Sequence, residues 1–507
     1  MSGISVNQDD THFFYTRAPD EMSEAGVDAV LDPYVGTEVR ELLFCVNAGK
    51  ASFPSQAWPT LWAGYDPDGG DDQPFLAALP PRQRASFRPI FHNLALLERR
   101  GIDPFARWLA RARKLGFSPW LSMRMNDLHH IQMPLEERRK KLALEQPPRY
   151  RAPHRPNVRM QDGAADFSQP EIYDHRMSLV RELAGRYDMD GLELDFSRHF
   201  AYLRPGREIE DQPVMTRFVR EAREILDAAA RERGHAVRLG VRVPAAERTA
   251  RWIGLDPVLW ARQGLVDFVV PTPVWYTIDF AMPVWEWKRL LEGTGALLGA
   301  GLDRHVHPFP GGVREQPACP EHVRGAAASY LNQGADRVYL FDYFDRPTPQ
   351  LGPSILAEEN LLRTVGSPES LAPHPRRHLV TYQDVLGPGE CPAQPLPLRP
   401  RHAYAGAPCF GELRIDTGPK PPRGAVLVLL AFAESAPEPP ADLEVFVNGV
   451  RAAAKGRTLL PPPLPAAPLY GFEPPLQALN DGINLVELLS HAQAWEVHWA
   501  EIRLIPG

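Results

Sequence analysis

A chain of 507 residues, 44% apolar and 23% charged, is long enough for two or three domains and a large core. Its formal charge of -7 gives no electrostatic reason to expect nucleic acid or an anionic membrane as a partner. No apolar run is long enough to cross a bilayer, and Met1-Ser2-Gly3-Ile4 lacks a basic, apolar leader, so a soluble cytoplasmic protein is expected.

Gly3 to Val6 predicts a short first strand, ending in Asn7-Gln8-Asp9-Asp10. A helical segment around Met22 to Leu31 precedes a buried strand from Val39 to Val46. The stretch from Ala48 to about Pro81 is irregular and aromatic, with Phe53, Trp58, Trp62 and Tyr65. Pro104 to Leu115 has helical apolar spacing, and Ser118 to Met125 predicts the third strand, running into Asn126-Asp127-Leu128-His129-His130. Glu136 to Asp166 is basic, Pro-rich and without period, which predicts a surface excursion. Ser168-Gln169-Pro170-Glu171 has helix-start chemistry, and that helix feeds the fourth strand, Asp190-Gly191-Leu192-Glu193-Leu194-Asp195-Phe196. A helix from Pro213 to Arg233 closes at Gly234. Val237 to Val243, Val266 to Val270, Leu297 to Leu302 and Arg337 to Phe341 predict strands five to eight. Helices from Asp256 to Gly264 and from Pro320 to Asn332 are interspersed, and a last one runs from about Ser354 to Thr364.

Eight strands alternating with helices mean an α/β fold, and the count favours a closed (β/α)8 TIM barrel over residues 1–365. No Gly-rich phosphate loop follows the first strand, which leaves a doubly wound nucleotide-binding sheet without support. After about Gly366 the helical period disappears. A linker at 366–378 leads to an all-β sandwich, jelly-roll-like, over 379–507. Strands are expected over Ala425 to Phe432, Leu443 to Val450, Ile483 to Leu489 and Glu496 to Ile505, with a hairpin turn at Asn448-Gly449. Cys45, Cys319, Cys391 and Cys409 are far apart and match no metal-ligand spacing; Cys391 and Cys409 pair only in an oxidising compartment.

The run Asp190-Gly191-Leu192-Glu193-Leu194-Asp195-Phe196 resembles a recurring pattern of glycosyl-hydrolase-type (β/α)8 barrels, in particular a family-10-like bacterial group. The segments Leu443 to Gly449 and Gly482 to Glu487 resemble a galactose-binding-type jelly roll. The resemblance implies a soluble bacterial glycoside hydrolase with a carbohydrate substrate and no cofactor. The chitinase-type family shares the start of the strand-four pattern, Asp-Gly-x-Asp-x-Asp-x-Glu, but the position of its catalytic Glu is Ser197 here.

Side chains alternate along a strand, so Glu193 and Asp195 share a face, Glu193 roughly 6–7 Å deeper. Asp195 is the first catalytic candidate, as nucleophile, base or orienting carboxylate; the structural alternative is an ion pair with Arg198 or Arg242. For Glu193 the alternative is a barrel-interior acid held by Arg124 or Arg242. Glycoside hydrolysis needs a second carboxyl group, and Asp303 and Asp342 after strands seven and eight lead, followed by Asp345, Asp279, Asp127 and Asp10. Arg124, Asn126, His129, His130, Arg198, His199, Arg242, His305 and His307 suit hydrogen bonding to sugar hydroxyls. Trp58, Trp62, Trp275 and Tyr276 suit stacking on sugar rings, with a loop mini-core as the alternative for Trp58 and Trp62. Asp9 and Asp10 with the scattered His residues suggest a metal-dependent hydrolase or deacetylase, but no short ligand spacing supports it and no metal is expected. A glycosidase is thus the leading expectation, with a non-catalytic carbohydrate-binding barrel as its first rival. An Asp195→Asn change at an exposed site would cost at most about 1 kcal/mol of stability.

Overall fold

The computed structural model describes residues 2–77, 79, 81–127, 163–273, 277–309, 311–312, 315–348, 354, 356, 360–383, 396–402, 404, 406–460, 462–492 and 494–507. Eight strands form a closed barrel: β1 (Ile4–Gln8), β2 (Val39–Cys45), β3 (Ser118–Arg124), β4 (Gly191–Asp195), β5 (Arg238–Pro244), β6 (Phe268–Thr272), β7 (Leu297–Leu302) and β8 (Arg337–Phe341). The order around the barrel is β1-β8-β7-β6-β5-β4-β3-β2, and the registers of β2 to β5 are parallel.

Alternation along each strand sorts the side chains. Leu121, Leu192 and Leu239 are register neighbours of one parity and fully buried. The other parity gives three rungs: Trp120, Gly191 and Arg238; Ser122, Glu193 and Gly240; Arg124, Asp195 and Arg242. The two glycines make room for one indole. A Cβ on Gly191 would stand 2.4 Å from the Trp120 ring, and one on Gly240 would stand 3.1 Å from it. Above that rung this side of the barrel is polar, unlike the branched apolar layers usual in such barrels.

By internal contacts the chain divides into two compact units. The first, Ser5–Pro271 with Leu290–Leu298, carries the helices α1 (Asp10–Thr16), α2 (Pro81–Arg99), α3 (Pro104–Lys114), α4 (Pro170–Arg186) and α5 (Glu208–Arg233). Phe105, Trp108, Leu109 and Ala112 form the buried stripe of α3, and the Trp108 indole donates to the Val27 carbonyl at 2.9 Å. Helix α5 begins earlier than Pro213 would suggest. Glu208, Glu210 and Asp211 occupy its first turn, where acids complement the helix dipole, and Pro213 is carried inside.

The second unit, Met1–Ile4, Thr272–Arg289 and Gly299–Gly507, contains a β-sandwich. Its strands are β9 (Arg376–Leu379), β10 (Arg401–His402), β11 (Cys409–Asp416), β12 (Gly424–Phe432), β13 (Glu444–Val447), β14 (Val450–Arg451), β15 (Ala453–Thr458), β16 (Leu469–Glu473), β17 (Ile483–Ser490) and β18 (Val497–Pro506). One sheet runs β9-β18-β12-β16-β15 and the other β10-β11-β17-β13-β14. Val428, Leu430, Val447, Val486, Leu488, Ile502 and Leu504 are among the residues of the core they enclose. The Asn448-Gly449 turn joins β13 to β14 with both residues at positive φ, 49° and 78°, as a two-residue hairpin loop requires. The Asn448 side chain is also tied inward, its Nδ2 donating to the Ala478 carbonyl and to Asn484 Oδ1, both at 2.8 Å.

In the same unit, helix α6 (Pro320–Asn332) lies on β9. Gly325 permits this approach: a Cβ there would fall 2.1 Å from the Arg377 carbonyl oxygen. Among the described residues no helix is long and apolar enough to cross a membrane.

Candidate functional site

The polar part of the first unit begins at the middle rung. Glu193 Oε1 accepts from Ser122 Oγ at 2.7 Å and from Asn7 Nδ2 at 2.9 Å, and Asn7 also donates to Ser122 at 3.0 Å. Strands β1 and β4 are not neighbours, so the Asn7 bond crosses the barrel interior. The sequence offers Arg124 or Arg242 to hold Glu193; the hydrogen bonds to its Oε1 come from the neutral Asn7 and Ser122. Two residues of alternation give the missed signal: Asn7 precedes Asp9 by two, as Ser122 precedes Arg124.

The rung at the C-terminal strand ends is charged. Asp195 is fully buried, and Arg242 Nη1 sits 3.1 and 3.0 Å from its two oxygens. The Ser197 amide donates to Asp195 Oδ1 at 2.8 Å. Asp195 is therefore not at an exposed position, and the expectation of a nearly cost-free Asn replacement is corrected: burial of its ion-pair partner raises the cost. Arg124 bridges two acids, reaching Asp9 Oδ2 at 2.8 Å and Asp127 Oδ2 at 3.0 Å. Arg198 lies 3.8 Å from the same Asp127 oxygen. Burial opposes charge on Asp9, but Arg124, Arg198 and the Thr11 hydroxyl outweigh it and hold the carboxyl well below the usual range. Arg176, also buried, faces the Trp58 ring at 4.8 Å, and burial lowers its pKa to about 10.

Other candidates have packing or bracing contacts. The Asn126 amide bridges the Ala165 amide, at 3.0 Å, and the Ala165 and Ala201 carbonyls. His199 is buried, and its carbonyl accepts from the Ala201 amide at 3.0 Å. Trp58 and Trp62 are 3% and 5% exposed. The Trp58 indole stacks on His175 and donates to its carbonyl, and Trp62 donates to Glu98. Their loop needed its own core, and no broad face of either is left for a sugar ring. His129, His130, Trp275, Tyr276 and Cys391 lie outside the described residues.

The second unit holds the other acids. Asp303 follows β7 and accepts from the Arg304 and His305 amides at 2.6 and 3.1 Å, with His305 Nδ1 at 3.2 Å. Burial opposes its charge, but His305 and Arg304 keep its carboxyl below the usual range. Asp342 follows β8 at a φ of 58°, a left-handed conformation that Asp tolerates better than most residues. Asp279 is 3% exposed, and burial pushes its pKa up to about 7 despite the Ala281 amide donating to it at 3.0 Å. Among the described residues no three His, Cys, Asp or Glu side chains converge as metal ligands.

No known protein-family profile matches the chain, and no curated protein matches it in sequence. Solved structures do resemble it. The glycoside hydrolase domain of PgaB from Bordetella bronchiseptica aligns with 73% of this chain and 99% of its own, at 13% identity and a TM-score of 0.43. A chitinase from Bacillus thuringiensis aligns with 99% of this chain and all of its own, at 10% identity and a TM-score of 0.39. The cycloisomaltooligosaccharide glucanotransferase of a Paenibacillus species aligns with the whole chain at 8% identity and a TM-score of 0.35, and this chain spans 57% of its length. At these identities and scores the likeness carries no argument about chemistry.

Proposed function

We propose that the barrel is carbohydrate-active and hydrolyses a glycosidic bond, with Asp195 as the nucleophile, base or orienting carboxylate. The observation that carries the reading is the layer of opposite charges at the strand ends, buried except for a partly exposed Asp9: Asp9-Arg124-Asp127-Arg198 beside Asp195-Arg242. Folding alone gains little from burying so many charges, since well-packed apolar side chains would serve as well or better. The C-terminal strand ends are where barrels of this kind place their chemistry. Arg242 suits the role by holding the Asp195 carboxylate in place, with Nη1 3.1 and 3.0 Å from its two oxygens. A proton donor needs a carboxyl that keeps its proton near neutrality, a property Asp279 has, while Asp303 is better suited to staying charged. Asp342 is the remaining candidate among the two acids that lead from sequence. The division into a barrel over 1–365 and a galactose-binding-like sandwich over 379–507 belongs to the same proposal.

One observation favours a non-catalytic carbohydrate-binding barrel instead. Both Asp195 oxygens are engaged, by Arg242 and the Ser197 amide, and the side chain is inaccessible. A panel of glycans and aryl glycosides, read for both binding and product release, separates the two. Release by wild type, abolished by Asp195→Asn with binding retained, supports hydrolysis on β4. Binding by both proteins without release supports the non-catalytic barrel. Release that survives Asp195→Asn removes Asp195 from the chemistry, and Asp279→Asn, Asp303→Asn and Asp342→Asn then locate it.

A further inference from the structure

The second unit holds a nucleophilic constellation that the carbohydrate reading does not use. Cys319 is the N-cap of α6 and is partly exposed. His322, one turn into that helix and fully buried, places Nδ1 3.3 Å from Cys319 Sγ and Nε2 3.5 Å from Glu501 Oε2. Glu501, on β18, is clamped by Arg377 of β9, whose Nε and Nη2 reach its two oxygens at 3.1 and 3.0 Å. Arg377 Nη1 is also 3.8 Å from the Cys319 sulfur. Sulfur, imidazole and carboxylate stand in the order in which cysteine nucleophiles are activated: a base on the thiol, and an acid on the far ring nitrogen that fixes the tautomer.

We propose that Cys319 is a peroxide-reactive thiol, activated by His322 and positioned by Glu501 and Arg377. In the step, the Cys319 thiolate attacks one oxygen of a hydroperoxide. An S–O bond forms and the O–O bond breaks; the sulfur is oxidised to a sulfenic acid, and the peroxide is reduced to water or an alcohol. The departing oxygen takes the proton that His322 received from the thiol. The partial exposure of Cys319, with a guanidinium and an imidazole beside its sulfur, suits a small electrophile rather than a polymer. The helix N-terminus adds to the stabilisation of the thiolate. The electrostatics agree. Burial pushes the thiol up, but His322 and Arg377 bring its pKa down to about 7. Burial disfavours charge on His322, yet Cys319 and Glu501 hold it above the usual imidazole range. Among the described residues, Glu321, paired with Arg503, and His378 are further ionisable groups facing the cluster.

The test treats the full chain with hydrogen peroxide and dimedone, then maps adducts by peptide mass spectrometry. Separately, iodoacetamide alkylation of Cys319 is followed against pH. The expected result is a dimedone adduct on the Cys319 peptide, lost in Cys319→Ser. At pH 7 alkylation should be roughly tenfold faster than for an ordinary thiol, with a midpoint near pH 7 rather than about 8.5. His322→Gln should slow both reactions about tenfold. Should that variant fail to fold, the wild-type pH profile decides. A midpoint at 8.5 or above, no adduct at Cys319, or unchanged rates in folded His322→Gln would each overturn the proposal. None of these outcomes bears on the glycosidase reading.

Discussion

Two fully buried guanidinium–carboxylate pairs stand in the two units, Arg242–Asp195 at the barrel strand ends and Arg377–Glu501 between two sandwich strands. They meet the same desolvation penalty with different geometry. Arg377 offers two different nitrogens to the two oxygens of Glu501, a fork that fixes both side chains. Arg242 offers one nitrogen to both oxygens of Asp195, and the Ser197 amide shares one of them. The fork braces a third group, His322. The single-nitrogen contact gives its carboxylate a looser frame.

The largest effect should come from breaking the fork. Glu501→Gln is expected to cost about 3–5 kcal/mol in urea unfolding, because a buried Arg377 loses its countercharge. Asp195→Asn should cost less, about 1–3 kcal/mol, since the Asn carbonyl can still accept from Ser197. Equal costs would erase the distinction between a brace and a site.

Asp279 sharpens the contrast between a paired acid and one that stays protonated. Its folded pKa of about 7 lies above its unfolded value, so its contribution is full below about pH 4 and is lost as pH rises through 7. Asp279→Asn should therefore flatten the stability profile and be the more stable protein at pH 8, by on the order of a few kcal/mol. Thermal midpoints of both proteins at pH 5 and pH 8 check the sign. The smallest effect belongs to an exposed pair: losing Lys288–Asp336, 2.9 Å apart at the surface, through Lys288→Met should cost less than about 1 kcal/mol.

The barrel was legible because each strand is a short apolar run bounded by turns. All eight predicted runs overlap the observed strands, Leu297–Leu302 and Arg337–Phe341 to the residue. The alternation that put Glu193 and Asp195 on one face was legible too. Partners were not, because Asn7 and Glu193 are 186 residues apart and only barrel closure brings them together. Helix Pro81–Arg99 had no expected counterpart, since Pro89 and four arginines blur its apolar stripe. Strands Cys409–Asp416 and Leu469–Glu473 were missed because Gly and Pro interrupt or border them. Arg376–Leu379, which straddles the end of the expected linker at 366–378, is a strand whose polar composition hides full burial. The Cys319 cluster was invisible for the reason the Asn7 bond was: His322 and Glu501 are 179 residues apart.

The top rung of the barrel has one further consequence. Arg124, Asp195 and Arg242 are Cα partners across three adjacent strands, so positive, negative and positive charges lie in a row. A slip of β4 by one residue would turn its acids outward among leucines. A slip by two, which preserves the apolar pattern, would align Glu193 with the arginines and strand Asp195 one step beyond them. Hydrophobic alternation cannot reject that second error, but the charge row can. The charges that line the strand ends thus also proofread the assembly of the strands that carry them.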